Sequence, residues 1–251
     1  MPTYFLDLDG TMYYGTKIAP AAKTLVKRLK ETGQAFYFLT NNASRTPQEN
    51  AEYMRSLGFE GIESRQFFNA AMACVSYVKK NYSGRRVMMV GESGLAYELQ
   101  KQGFVLVKDY ADFVMVGLNR FADYRLYSLA LQNLLDGALL IGTNADRILL
   151  SEDGSKLGNG SVIAMFEYAS QQVALVTGKP QTIFIEEALA YFNLSKQEVI
   201  LVGDNLETDI LCGVNAGIRT VFVLGGVHEI KDIERLKIVP DRTISSLTEL
   251  L

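Results

Sequence analysis

The chain has 251 residues, 48% of them apolar and 21% charged, and a net charge of −3 at neutral pH. This is an ordinary globular composition, long enough for one large domain or two modest ones. It gives no electrostatic reason to expect nucleic-acid binding, and no apolar run approaches the ~18 residues of a membrane span. Residues 4–8 read as a buried strand. Residues 18–32 read as an amphipathic helix with Ile18, Ala22, Leu25, Val26 and Leu29 on one face, Pro20 in its first turn and Gly33 at its C-terminal cap. Residues 35–39 are a second buried strand. Thr46-Pro47-Gln48-Glu49 has capping-box spacing and opens a helix that ends near Gly58. Strand-like segments 87–90, 113–116 and 138–141 then alternate with helical segments 94–102, 124–135 and 161–171. The chain closes with a helix over 184–192, a strand over 199–202, a helix over 209–216 and a strand over 220–224.

This alternation predicts an α/β fold built on parallel sheets with right-handed crossovers. Residues 1–83 and 176–251 form a Rossmann-like core domain, and residues 84–175 form a smaller α/β domain inserted into it. Cys74 and Cys212 lie far apart in apolar helical patterns and read as buried free thiols. The single histidine, His228, argues against a histidine-rich metal centre and against a Ser-His-Asp triad. The N-terminus lacks a basic region followed by an apolar one, so no signal peptide is expected and a cytoplasmic location is.

The first strand runs into Asp7-Leu8-Asp9-Gly10-Thr11. Side chains alternate along a strand, so Asp7 and Asp9 share a side if the extended conformation continues. Ligand sites in parallel α/β sheets lie just beyond the carboxyl ends of the strands, and two close carboxylates need a cation or a shared proton. Gly10 permits a tight turn or close approach of a ligand. Capping of the following turn by both aspartates is the plainer alternative. The other strand ends add to the picture. The second strand runs into Thr40-Asn41-Asn42, and the strand over 199–202 runs into Gly203-Asp204-Asn205-Leu206-Glu207-Thr208-Asp209. Gly178-Lys179-Pro180 supplies a cation. Each of these has an ordinary structural reading as strand residue, turn, surface charge or helix-terminal charge. Together they offer hard oxygen donors with little nitrogen or sulfur, which suit Mg²⁺ rather than zinc.

The segments DLDGT, TNN, GKP and GDNLETD, in this order, resemble the four motifs of the haloacid dehalogenase superfamily of phosphatases. The long insertion between the second and third motifs resembles the α/β-capped branch of NagD-like and p-nitrophenyl-phosphatase-like proteins. Arg45-Thr46-Pro47, Gly91-Glu92, Thr143-Asn144-Ala145-Asp146 and the closing PDRTISSLTEL look like that branch too. The resemblance implies that Asp7 is the nucleophile, forming an aspartyl-phosphate, and that Asp9 protonates the leaving oxygen and later helps deprotonate water. It implies Mg²⁺ on Asp7, the backbone carbonyl of Asp9, and Asp204, with Asp209 completing the shell. Thr40 and Lys179 then stabilise the transferring phosphoryl oxygens, helped by backbone amides near Gly10, Asn41 and Asn42.

The inserted domain is expected to contact the part of the substrate beyond the phosphate. Asn144 and Asp146 in their turn, and Gly158-Asn159-Gly160 before a helix, are the candidate contacts, although an ordinary loop and an ordinary helix start fit the two segments equally well. The expected reaction is hydrolysis of small phosphomonoesters such as sugar phosphates or nucleotides. Phosphoryl transfer to a second hydroxyl is compatible with the same motifs. A receiver-like signalling domain also clusters aspartates, a threonine and a lysine around Mg²⁺, but needs neither an acid beside its first-strand aspartate nor a covering insertion. The expected partner is a small phosphorylated metabolite, with neither nucleic acid nor membrane, and the branch allows a homodimer formed through the cap.

Overall fold

The run Thr-Tyr-Phe-Leu-Asp is short, apolar and aromatic, which suits a strand covered on both faces. In the computed structural model, which describes residues 2–151 and 154–250, it forms the strand Thr3–Asp7 at the centre of a six-stranded sheet. Arg242–Ile244, Arg219–Val223 and Val199–Gly203 lie in that order on one side of it, and Phe36–Thr40 and Phe67–Asn69 on the other. Its pairings with Val199–Gly203 and Phe36–Thr40 are both parallel. The strand order therefore reverses at Thr3–Asp7, and the carboxyl ends of Thr3–Asp7 and Val199–Gly203 flank that switch point. Open α/β sheets form their binding crevices at such points, because crossovers leave in opposite directions there.

The chain divides into two compact units. One comprises Met1–Thr40, Pro47–Phe68 and Lys179–Leu251, and the other Asn41–Thr46 and Asn69–Gly178. The second unit thus contains the whole of residues 84–175 and extends past both ends of that interval. The core of the first unit gathers Leu6, Leu25, Phe36, Phe38, Phe67 and Val202. Phe38 stacks on Phe67 with ring centroids 5.0 Å apart and meets Phe36 edge-on at 5.5 Å. The helix Ala22–Glu31 buries Ala22, Leu25, Val26 and Leu29, the face its periodicity predicts. It starts later than expected. Lys17–Ile18 pairs with Tyr13–Tyr14 in a small hairpin, and Ala21 adopts a left-handed conformation at φ 64°. Pro20 consequently precedes the helix instead of occupying its first turn.

The second unit carries a five-stranded parallel sheet in the order Leu175–Val176, Leu139–Gly142, Phe113–Val116, Arg86–Val90, Val105–Leu106. Helices Ser93–Lys101, Tyr124–Leu135 and Asn159–Ser170 match expected helical segments to within about two residues. The apolar helical pattern around Cys74 is the helix Ala70–Asn81, whose ends the pattern leaves undefined. Seven of its residues, from Ala70 through Val75 and Val78, are buried, and a helix covered on most sides shows no polar stripe to reveal its period. Asn69 caps it, accepting the Met72 N–H at 3.0 Å. Ile148–Ser151 pairs with Gly154–Leu157 in an antiparallel hairpin, an addition to the expected elements. Cys74 and Cys212 are buried free thiols, each pushed up to about 12 chiefly by burial. Among the described residues no helix is long and apolar enough to cross a membrane.

Phe38 is fully buried between two rings, so Phe38→Ala should lower the unfolding free energy by about 3–5 kcal/mol, read from the urea midpoint. A loss under about 1 kcal/mol would place the ring outside the cooperative core.

Candidate active site

The extended conformation ends at Asp7. Leu8 then closes a tight turn in which its carbonyl accepts the N–H groups of Thr11, Met12 and Tyr13, while the Gly10 N–H bonds to the Tyr13 carbonyl at 2.9 Å. The turn separates the paired aspartates: Asp7 is 6% exposed, whereas Asp9 faces solvent. Gly10 sits at φ +100°, and a Cβ there would lie 2.4 Å from the Asp204 carboxylate. Glycine is required at this position twice over, by backbone conformation and by the approach of an acidic side chain.

Asp204 follows the neighbouring strand. Its Oδ1 accepts the Thr11 hydroxyl at 2.8 Å, and its Oδ2 accepts the Val227 N–H at 2.8 Å. The turn from Asn205 winds as a wide π-type turn over Leu206–Ile210 before the helix Leu211–Ala216. Asp209 therefore lies inside a helical segment that begins earlier than the sequence suggests, and its side chain turns back to accept the Asn205 N–H at 3.2 Å. Gly203 makes room for it, since a Cβ there would stand 2.4 Å from the Asp209 side chain.

Lys179 joins these elements. It is 2% exposed, and its Nζ lies 2.6 Å from Asp7 Oδ1 and 2.6 Å from Asp209 Oδ1. The carboxylates of Asp7, Asp204 and Asp209 each place an oxygen within 4.8 Å of the others. Burial alone works against the Lys179 charge, but Asp209 and Asp7 outweigh it and hold the ammonium above its usual range. Burial raises the Asp7 carboxyl well above the ordinary value; Asp209 adds to the rise and Lys179 opposes it. Burial and then Asp209 push Asp204 up to about 6, against the Val227 and Thr11 hydrogen bonds. When ionised, the three clustered carboxylates outnumber the one ammonium that pairs with Asp7 and Asp209. The donors are hard anionic oxygens, so the group fits a divalent cation. Asp9 contributes no carboxylate to it. Thr40 ends the strand Phe36–Thr40 and is buried.

Asn41, Asn42, Asn144 and Asp146 belong to the second unit. Asn42 Oδ1 accepts both the N–H and the hydroxyl of Ser44, which makes it a turn-forming residue. Asn144 is buried. Its amide donates to Asp146 Oδ2 at 2.7 Å, and its Oδ1 accepts the Thr143 hydroxyl at 2.9 Å. The Asn41 amide reaches the Asp146 carboxylate at 3.3 Å. A Cβ on Gly178 would stand 2.4 Å from the Thr143 carbonyl, which explains the glycine before Lys179.

A model of haloacid dehalogenase-like hydrolases matches residues 4–105, and a second HAD-hydrolase-like model matches residues 176–250. The 5'-nucleotidase YutF of Bacillus subtilis is 34% identical, aligned over 98% of this chain and 96% of its own. An acid sugar phosphatase of Staphylococcus aureus is 32% identical over 99% and 96%. A mutant of the thermostable p-nitrophenylphosphatase from Bacillus stearothermophilus has a solved structure that superposes with a TM-score of 0.87 at 37% identity, covering 99% of this chain and 98% of that one. The chain belongs to the haloacid dehalogenase-like hydrolases. Within them it is a phosphatase of the NagD-like branch.

Against the four motifs of this family, Thr11, Val227 and His228 are the additions that folding makes. Thr11 stands inside a motif and carries a hydroxyl, so its pairing with Asp204 had a signal. The Val227 amide had none, because a backbone donor leaves no trace in residue type.

The raised carboxyls set a sign for pH dependence. Between about pH 6 and pH 4 the folded chain holds a proton on Asp204 that the unfolded chain releases, so with chelator present this group adds stability as pH falls through 6 and loses it as pH rises; Asp7, also raised, acts in the same direction. A divalent cation competes with those protons. Its addition should therefore raise the melting temperature more at about pH 7.5 than at about pH 5.5. Equal shifts at both pH values would detach the cation from Asp204.

Proposed function

We propose that the chain hydrolyses small phosphomonoesters with Mg²⁺ through an aspartyl-phosphate intermediate. The observation that carries this reading is the buried Asp7 carboxylate, held at a strand end by the Lys179 ammonium at 2.6 Å. An ionised carboxylate needs no base to become a nucleophile, and the Lys179 ammonium, with a divalent cation, would favour that form of Asp7 against the burial that raises its carboxyl. Asp7 Oδ attacks phosphorus in line, forming the new P–O bond as the bond to the ester oxygen breaks. Asp9 delivers a proton to that oxygen, so the alcohol leaves neutral. Water then attacks the phosphoryl group and gives its proton to Asp9, and breaking the Asp7–phosphorus bond releases phosphate. The solvent exposure of Asp9 suits a group that must exchange protons twice per cycle.

Lys179 orients Asp7 before the attack and offers its ammonium to the phosphoryl oxygens during it. Thr40 and the backbone amides near Gly10 are assigned to the same oxygens. Asp7, Asp204 and Asp209, with the carbonyl of Asp9, would hold Mg²⁺, which supplies charge neutralisation for the incoming phosphate dianion.

Residues 84–175 are assigned to choosing the leaving group. Support comes from Asp146, a half-buried carboxylate fixed by two amides, which can accept hydrogen bonds from the hydroxyls of a sugar or nucleoside. Asn144 is buried and engaged, so its part is to hold Asp146. The relatives named as a nucleotidase and a sugar phosphatase act on esters of this kind.

Asp7→Asn keeps shape and hydrogen bonding but removes the nucleophile, so phosphate release should fall at least about a thousandfold, roughly 4 kcal/mol of transition-state stabilisation. Turnover within tenfold of the parent would sink the covalent route.

A panel of esters separates the two roles. Lys179→Met should depress kcat/KM for all of them together, because each presents the same phosphoryl group. Asp146→Ala should reorder preferences among sugar and nucleoside phosphates while leaving a small aryl phosphate comparatively unaffected. One common factor across the panel for Asp146→Ala would remove the specificity assignment.

A further inference from the structure

The segment 225–229 follows the strand Arg219–Val223 and lies along the turn that carries Asp204 and Asp209. Two consecutive residues grip that turn. The Val227 N–H donates to Asp204 Oδ2 at 2.8 Å. His228 Nδ1 accepts the Leu206 N–H at 3.2 Å. Gly226 permits the approach, since a Cβ there would lie 2.1 Å from Asp204. His228 is 7% exposed, so this bond is made out of water.

The backbone donors of the turn show what His228 contributes. Asn205 satisfies the N–H groups of Glu207 and Thr208 with its side chain, at 3.0 and 3.3 Å, and those of Asp209 and Ile210 with its carbonyl. The Leu206 N–H bonds to His228, on a separate segment of the chain. Accepting at Nδ1 places the proton of the neutral ring on Nε2, which lies 3.5 Å from the Glu207 carboxylate. The ring thus spans two residues of the turn. Through the adjacent Val227 amide, the same segment orients the Asp204 carboxylate.

We propose that His228 is a positioning residue for the cation-binding turn: it holds Leu206, and with it the Val227 amide against Asp204, so that the Asp204 and Asp209 carboxylates are arranged before a divalent cation arrives. Nothing in its own ring need touch the cation or the substrate. Residues that orient metal ligands typically contribute about ten- to a hundredfold in affinity. The proposal rests on the cation reading of the aspartate cluster, and the experiment separates the two.

Mn²⁺ serves as an oxygen-seeking probe, with free ion measured by electron paramagnetic resonance on the full chain without substrate. His228→Phe keeps the ring but has no acceptor, and its Mn²⁺ dissociation constant should rise about tenfold or more. His228→Asn returns an acceptor near the position of Nδ1 and should stay within about threefold of the parent. Melting curves in chelator check that each variant is folded, and His228→Leu replaces His228→Phe should the larger ring fail. A His228→Phe dissociation constant within twofold of the parent overturns the proposal. So does an equal loss in His228→Phe and His228→Asn, which would assign the effect to side-chain shape. Asp204→Asn is the reference. If it binds Mn²⁺ as the parent does, the cation reading falls and takes the His228 proposal with it. If it loses Mn²⁺ while His228→Phe does not, the role of His228 alone is rejected.

Discussion

A lysine ammonium buried between two carboxylates, both at 2.6 Å, is the interaction around which the first unit is arranged. Taking such charges out of water is costly, and their attraction offsets this only when geometry and further hydrogen bonds are good. Deleting one partner of a buried pair typically costs about 3–5 kcal/mol, a large part of the roughly 5–15 kcal/mol that keeps a domain folded. Replacing buried ion pairs by apolar residues of similar volume is often neutral or stabilising. The cluster is therefore understood through its chemistry. On the proposed reading, a preformed ammonium and carboxylate would need little reorganisation when a phosphoryl group arrives.

The surrounding structure supplies the geometry that this charge arrangement demands. Asp7 and Asp204 stand at the carboxyl ends of two adjacent parallel strands, where the strand order reverses. Asp209 reaches the same place through a π-type turn. Three glycines allow the backbone to close around them. Gly10 and Gly226 each face Asp204, and Gly203 faces Asp209. A side chain at any of the three would collide with a carboxylate, so the glycines and the aspartates form one packing unit.

The second unit solves a similar problem with neutral groups. Asn159, at the start of the helix Asn159–Ser170, donates to the Val116 carbonyl at 3.0 Å and to the Asn144 carbonyl at 2.9 Å. Its neighbours Gly158 and Gly160 pack against the backbone at Asp146 and Ala145, where a Cβ would come within 2.0 and 2.3 Å. The glycine-rich segment thus supports the Thr143–Asp146 turn from behind by close backbone approach. A buried amide is suited to this work, because it can satisfy several carbonyls of an irregular loop without carrying charge.

Much was legible in the sequence for a physical reason. Parallel strands buried on both faces leave short apolar runs, so Asp7, Thr40, Asp204 and Asp209 at or beyond their ends could be picked out by position and type, and Lys179 by its place between Gly178 and Pro180. The alternation of strands and helices likewise determined the α/β class and the presence of an insertion. The remainder is set by contacts between segments distant in the chain. Whether Asp9 joins Asp7 depends on where the strand stops, and the Leu8 turn exposes one and buries the other. The Val227 amide and the His228 ring act through a backbone donor and a single acceptor 23 and 22 residues from their partners. The Asn144 side chain bonds to Thr143 and Asp146 within its own unit, a partner choice that residue type does not reveal. Residue type and spacing record which groups can bond, but burial and partner choice are properties of the folded chain, and tertiary packing alone decided them.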